Sequence, residues 1–263
     1  MHQPIPGSVN AIESLRNAGH RVLFVTNNSF SVVADQEKAL AKIGIDAHKD
    51  VVTSSQAAGA LLRKGERVLL GGGPGAVEAI KNAGAVLAGR SDDHTHGDAS
   101  THDTRSGVDS EIDVVMVGYH ATFDYRGLTR LSNAVRNGAR LIATNDDATY
   151  PTPHGLIPGG GSILAAVVAA SGVEPIIAGK PHKPMADLVR QVLGVNDLSD
   201  AWMVGDRPST DGLFAQTVGC KFAQVLTGIS SLNDVSDDAS DGVRGDTHVF
   251  ADLATFAKMI VGS

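Results

Sequence analysis

The sequence predicts an α/β protein built on a parallel sheet, and three observations carry that expectation. Short apolar runs alternate with amphipathic segments, and most of these runs end on polar or glycine-rich residues. Aromatics are scarce, at 4%, beside 30 glycines, which suits close helix-on-sheet packing better than a β-sandwich. At 263 residues there is room for one large domain or two intimate ones.

The elements follow in order. Ser8 is the expected cap of a helix carrying Val9, Ile12 and Leu15, closed by Gly19. Residues 22–25 read as a buried strand ending on Thr26-Asn27-Asn28-Ser29. A second helix presents Val33, Leu40 and Ile43 before Gly44; Val51-Val52 is a short strand, and residues 53–55 offer a cap for the helix after it. A strand over 68–70 leads into Gly71-Gly72-Gly73-Pro74-Gly75 and a helix over 76–82, then a strand over 85–88. Residues 89–107 carry almost nothing apolar and read as a solvated, mobile loop. A strand over 112–117, a helix over 125–137 and a strand over 141–143 come next. In the last third, strand 175–178 ends at Gly179-Lys180-Pro181, and strand 201–204 ends at Gly205-Asp206. Helices over 184–193 and 210–218, a strand over 222–226 and a helix with Leu253, Phe256, Ile260 and Val261 complete the series.

Composition narrows the function. The formal charge is −7 with no dense Lys/Arg patch, so nucleic acid is not an expected partner. No apolar run is long enough to span a bilayer, and Met1-His2-Gln3-Pro4 lacks the pattern of a signal peptide, so no membrane partner and a cytoplasmic location are expected. Cys220 is the single cysteine and reads as a small buried hydrophobe.

In an open parallel sheet, ligands bind beyond the carboxyl ends of the strands. Three strand ends carry suitable groups: Thr26-Asn27, Lys180, and Asp206 with Asp211. A hydroxyl, an amide, a fixed cation and two carboxylates suit a phosphate with a divalent metal, and oxygen ligands suit Mg²⁺. Each cluster alone is weak, because such residues also cap helices and form turns. Their joint occurrence, each directly after an apolar strand, is more specific.

Those segments carry a resemblance. Residues 23–29 (LFVTNNS), Gly179-Lys180-Pro181 and the heptad over 205–211 (GDRPSTD) resemble the haloacid dehalogenase superfamily, with further matches at residues 4–7 (PIPG) and 143–151 (ATNDDATYP). The branch is that of NagD-like, 4-nitrophenylphosphatase-like and phosphoglycolate phosphatase-like enzymes. The resemblance implies a doubly wound, Rossmann-like core over residues 1–60 and 178–263, with an α/β cap domain inserted over 61–177. It implies a Mg²⁺-dependent phosphatase of small phosphorylated metabolites that works through an aspartyl-phosphate; a homodimer stays open. Carried over by position, Thr26, Asn27, Asn28, Arg207 and Thr210 hold phosphate, and Lys180 is the catalytic cation that also binds it. Asp206 becomes the Mg²⁺ ligand, with Asp211 supporting the metal site.

One departure stands against these matches. The family opens with a strand ending in Asp-x-Asp-Gly, which supplies the nucleophile and the general acid. That strand is expected shortly before Pro4, where only Met1, His2 and Gln3 stand, and the pattern does not occur elsewhere. The sequence is therefore expected to begin inside the loop after it, through a start placed too late or through a natural loss of catalysis. The second case gives an alternative function, a non-catalytic protein that binds a phosphate ligand. A further alternative is nicotinamide-dinucleotide binding, since residues 71–76 fit G-x-G-x-x-A and Asp92 stands where a ribose ligand would. His94, His96 and His102 suggest a metal, set against the cost of ordering a flexible segment. Asn145 and Asp147 read equally as turn formers and as residues facing the core cleft.

Overall fold

The computed structural model describes residues 4–93, 111–152, 154–227 and 247–262. His94, His96 and His102, and most of the loop expected over 89–107, lie outside the described residues. The chain divides into two compact units. Unit 1 takes residues 1–25, 33–52 and 180–263, and unit 2 takes 26–32 and 53–179.

The chain starts with α1 (Ser8–Asn17), β1 (Phe24–Thr26), α2 (Val33–Lys42) and β2 (Val51–Thr53), and β1 pairs with β2. Gly7, not Ser8, caps α1: its φ of 81° is left-handed, and Ser8 Oγ donates to the Ile5 carbonyl at 2.7 Å instead. The strand expected over 22–25 begins two residues later and is half-buried at each position. α2 likewise has no fully buried residue.

Unit 2 continues with α3 (Ser54–Gly59), β3 (Arg67–Gly71), α4 (Pro74–Asn82), β4 (Val86–Arg90), β5 (Val114–Val117), α5 (Tyr125–Arg136) and β6 (Arg140–Ala143). A hairpin of β7 (Thr149–Thr152) and β8 (Gly155–Pro158), α6 (Gly160–Ser171) and β9 (Ile176–Ile177) complete it. Thr53 caps α3 in a reciprocal box with Gln56, as residues 53–55 lead one to expect. The five parallel strands run in the order β4-β3-β5-β6-β9. Counted within the sheet this is 2-1-3-4-5, a doubly wound order whose direction reverses between β3 and β5. Such strands are covered on both faces, which is why they read as continuous apolar runs. Leu69, Val115, Val117 and Leu141 pack with Leu131, Leu164 and Val167 from the helices into the core. Each such side chain, fully buried, stabilises by about 1.5–3 kcal/mol.

Unit 1 resumes with α7 (Lys183–Leu193), β10 (Trp202–Gly205), a single π-helical turn over Pro208–Gly212, and α8 (Leu213–Val218). β11 (Lys221–Val225), β12 (Thr247–Phe250) and α9 (Leu253–Val261) close it. β10, β11 and β12 pair in parallel in that order. Their core is Ala11 and Leu15 from α1, Ala223, and Phe256 and Ala257 from α9. Trp202 and Phe250 meet Phe256 edge-on, with ring centroids 5.5 Å and 5.4 Å away.

Candidate active site

In unit 1 the residues after β10 fold back on themselves. The π-helical turn brings Asp211 over the end of the strand, close enough that a methyl group on Gly205 would overlap its carboxylate. Asp211 Oδ2 accepts the Arg207 amide at 3.3 Å, and Oδ1 accepts Lys180 Nζ at 2.6 Å. Lys180 precedes the cis Lys180–Pro181 peptide bond, ahead of α7. Both partners are buried, Lys180 at 9% and Asp211 at 5% exposure. Water cannot neutralise a buried ammonium, so each charge depends on the other.

The geometry thus gives Asp211 a stated task, holding Lys180. Asp206, at the end of β10, is half-buried, as are Arg207 and Thr210. Among the described residues no group of three or more His, Cys, Asp or Glu is arranged to hold a metal ion. The Asp206 carboxylate fits Mg²⁺ as a partial donor set, because Mg²⁺ takes one or two protein carboxylates and completes its shell with water and phosphate.

Thr26, Asn27 and Asn28 fall in unit 2, where they form a tight polar loop. Thr26 Oγ1 accepts the Asn28 amide at 3.0 Å, which leaves its own O–H directed elsewhere. Asn28 Oδ1 accepts the amides of Phe30 and Ser31, at 3.0 and 3.3 Å. The Asn27 carbonyl accepts Ser54 Oγ at 2.9 Å and Asn145 Nδ2 at 2.8 Å, while Asn27 Nδ2 donates to Asp147 Oδ2 at 3.0 Å. Asn145 Oδ1 also accepts the Asp147 amide at 3.2 Å, so these two residues form a turn and reach the loop at once. Thr144 Oγ1 donates to Ser29 Oγ at 2.9 Å. Sequence reasoning takes Ser54 only as part of a helix cap and gives Thr144 no role; nothing local to either residue signals the long-range partner.

This loop lies at the carboxyl ends of the unit 2 strands. The Gly75 amide donates to the Phe30 carbonyl at 2.7 Å, and a methyl group on Gly75 would stand 2.5 Å from the Ser31 carbonyl. A methyl group on Gly73 would overlap the Phe30 ring. Phe30 in turn meets Tyr119, just beyond β5, with ring centroids 5.6 Å apart. The crevice between β3 and β5, where such a sheet would take a dinucleotide, is filled by the chain's own residues 29–31. The glycine-rich turn serves that close packing. Asp92 is engaged too: it accepts Thr122 Oγ1 at 2.9 Å, faces His120 Nε2 at 3.1 Å and pairs with Arg90 at 3.2 Å. Burial pushes its carboxyl up, but the hydrogen bonds from Thr122 and Arg90 and the charges of His120 and Arg90 outweigh this and hold it at about 2. Cys220 is half-buried rather than buried, and burial pushes its thiol up, which keeps it protonated and unreactive.

Comparison with known proteins agrees over most of the chain. Residues 1–86 match the family described as haloacid dehalogenase-like hydrolase, and residues 177–256 match one described as HAD-hydrolase-like. An acid sugar phosphatase of Staphylococcus aureus is 33% identical over 237 residues, covering 89% of this chain and 84% of that protein. The crystal structure of a 4-nitrophenylphosphatase from Thermotoga maritima is 30% identical, with a TM-score of 0.81 over 97% of this chain and 90% of its own. A glycerol phosphate phosphatase from Mycobacterium tuberculosis, solved with magnesium, is 31% identical, with a TM-score of 0.77 over 96% of this chain and 71% of its own. The same protein has also been solved with calcium.

Proposed function

Because this chain belongs to the haloacid dehalogenase-like hydrolases, we propose that it is a cytoplasmic, Mg²⁺-dependent phosphatase of small phosphorylated metabolites. The observation that carries the reading is the buried Lys180–Asp211 pair beside Asp206, at the carboxyl end of a parallel strand. The names of the relatives, an acid sugar phosphatase and a glycerol phosphate phosphatase, support small phosphomonoesters as the substrate class.

In this reading Lys180 neutralises charge on the phosphate, and its partner Asp211 keeps the ammonium in place. Thr26, Asn27, Asn28, Arg207 and Thr210 supply donors to the phosphate oxygens, Thr26 through the O–H that its bond to Asn28 leaves available. Asp206 would hold Mg²⁺, which when bound screens the phosphate's negative charge from an incoming nucleophile. Positioning and electrostatics dominate phosphoryl transfer, so most of the machinery resides in these groups. An aspartyl-phosphate needs a carboxylate nucleophile, and residues 1–263 contain no Asp-x-Asp-Gly strand. In this reading an Asp-x-Asp-Gly strand is what the full catalytic set requires. Residues 1–60 and 178–263 act as the catalytic core in this reading, and the inserted 61–177 selects the substrate.

The test expresses residues 1–263 and a form extended upstream to an in-frame Asp-x-Asp-Gly strand, and measures 4-nitrophenyl phosphate hydrolysis with Mg²⁺. The expected outcome is turnover by the extended form alone, lost on Lys180→Ala or Asp206→Ala. Hydrolysis by residues 1–263 that disappears on Asp206→Ala would show that the nucleophile has been misassigned. An extended form that binds phosphate without turning over would replace the enzyme reading with the non-catalytic one.

A further inference from the structure

We propose that Asn145 and Asp147 are positioning residues for the phosphate loop, an inference that rests on the function proposed above. The bonds to Asn27 fix two different parts of one residue. Its carbonyl is held by Ser54 and Asn145, and its side-chain amide by Asp147. All of these residues belong to unit 2. Ser54 and Asn145 are buried, so in their surroundings a lost partner is not replaced by water. A peptide whose carbonyl and side chain are both fixed has little freedom left to rotate. The Asn28 amide of that peptide donates to Thr26 Oγ1 at 3.0 Å, so the Thr26 hydroxyl is held in one orientation with it.

The Asp147 contact also adds charge. A carboxylate accepting from Asn27 Nδ2 makes a stronger bond than a neutral oxygen would. The Ser29–Thr144 hydroxyl pair closes the same loop from its other end, at 2.9 Å. The middle of the chain thus supplies the mould in which the loop after β1 is set. Asn27 acts in it as an anchor, with its side chain turned to Asp147.

The experiment uses the full chain, with inorganic phosphate as the probe in calorimetry and the Asn27 side-chain amide followed by hydrogen exchange in ¹⁵N-labelled protein. Asp147→Ala and Asn145→Ala should each weaken phosphate binding about tenfold and speed exchange at the Asn27 amide. Asp147→Asn keeps an acceptor oxygen and should restore most of both. A purely structural role would lower the melting temperature in the alanine variants and leave phosphate affinity unchanged, and that result overturns the inference. Unchanged Asn27 exchange in Asp147→Ala overturns it as well, whatever the binding data. Failure of the unmutated chain to bind phosphate removes the phosphate reading of the loop, while the exchange measurements still decide whether Asp147 and Asn145 position Asn27.

Discussion

Val115 and Val204 stand in strands of similar composition, Val114-Val115-Met116-Val117 and Trp202-Met203-Val204-Gly205. Every residue of the first is buried, and every residue of the second is half-buried. β5 has β3 on one side and β6 on the other, whereas β10 is laddered only to β11 among the described residues. β1, which leads into the Thr26–Asn28 loop, pairs only with β2 among the described residues and is half-buried throughout. Apolar sequence alone therefore does not bury a strand; two laddered neighbours and two covered faces do. The inserted unit has them. The strands that carry the proposed chemistry have one laddered neighbour each among the described residues, and elements with fewer buried contacts open more readily.

The sharpest way to break that contrast is the buried Lys180–Asp211 contact of unit 1's site. Asp211→Ala removes the carboxylate that the buried Lys180 ammonium donates to at 2.6 Å, and should cost about 3–5 kcal/mol in urea unfolding. The partly exposed Arg16–Asp50 pair, at 2.8 Å in the same unit, should cost no more than about 1 kcal/mol on Asp50→Ala. Equal costs would mean that the site pair is as solvated as the surface one. A smaller effect sharpens the strand comparison itself. Val115→Ala should cost about 2 kcal/mol, from lost burial plus the cavity left behind, and Val204→Ala about half of that. If Val204→Ala is the costlier of the two, β10 is held more firmly than its exposure indicates.

The smallest effect is in acid. Asp92 titrates at about 2 in the folded chain, below its ordinary 3.8. A depressed carboxyl contributes stability that is present above the unfolded value and lost as pH falls through the folded one. Melting temperature should therefore decline between about pH 4 and pH 2 partly through Asp92. Asp92→Asn should flatten that part of the decline. Because Asp92 is 28% exposed, the change is a modest one. An unaltered acid slope in the variant would remove the network with His120, Thr122 and Arg90 as its cause.

The strands of unit 2 were legible in the sequence because doubly covered strands leave uninterrupted apolar runs. Those over 68–70, 112–117 and 141–143 shift by only a residue or two in the structure. The hairpin β7–β8 left no comparable trace, because Thr149-Tyr150-Pro151-Thr152 is neither alternating nor uniformly apolar. α6 was hidden for the opposite reason: Ile163, Leu164, Ala165, Ala166, Val167 and Val168 run together without a polar face to mark a helical period. At the site, Lys180, Asp206 and Asp211 could be picked out because each follows an apolar strand. Their division of labour could not, since 31 residues separate the two ends of the Lys180–Asp211 pair. The task of Asp147 was further out of reach, because its partner is 120 residues away.

That separation has a consequence for the order in which the chain is made. Asn27 leaves the ribosome well before Asn145 and Asp147, and at about 5–20 residues per second the interval for the 120 residues between Asn27 and Asp147 is about 6–24 s. Local folding events finish in microseconds to milliseconds, so α1 and β1 have ample time to form while residues 27–31 wait for the strands that will hold them. The loop is the last piece of its own neighbourhood to be set, and it cannot be set until β6 has been synthesised. A stalled or nicked chain ending before residue 144 would keep all three polar residues, Thr26, Asn27 and Asn28, and still lack the template that orients them.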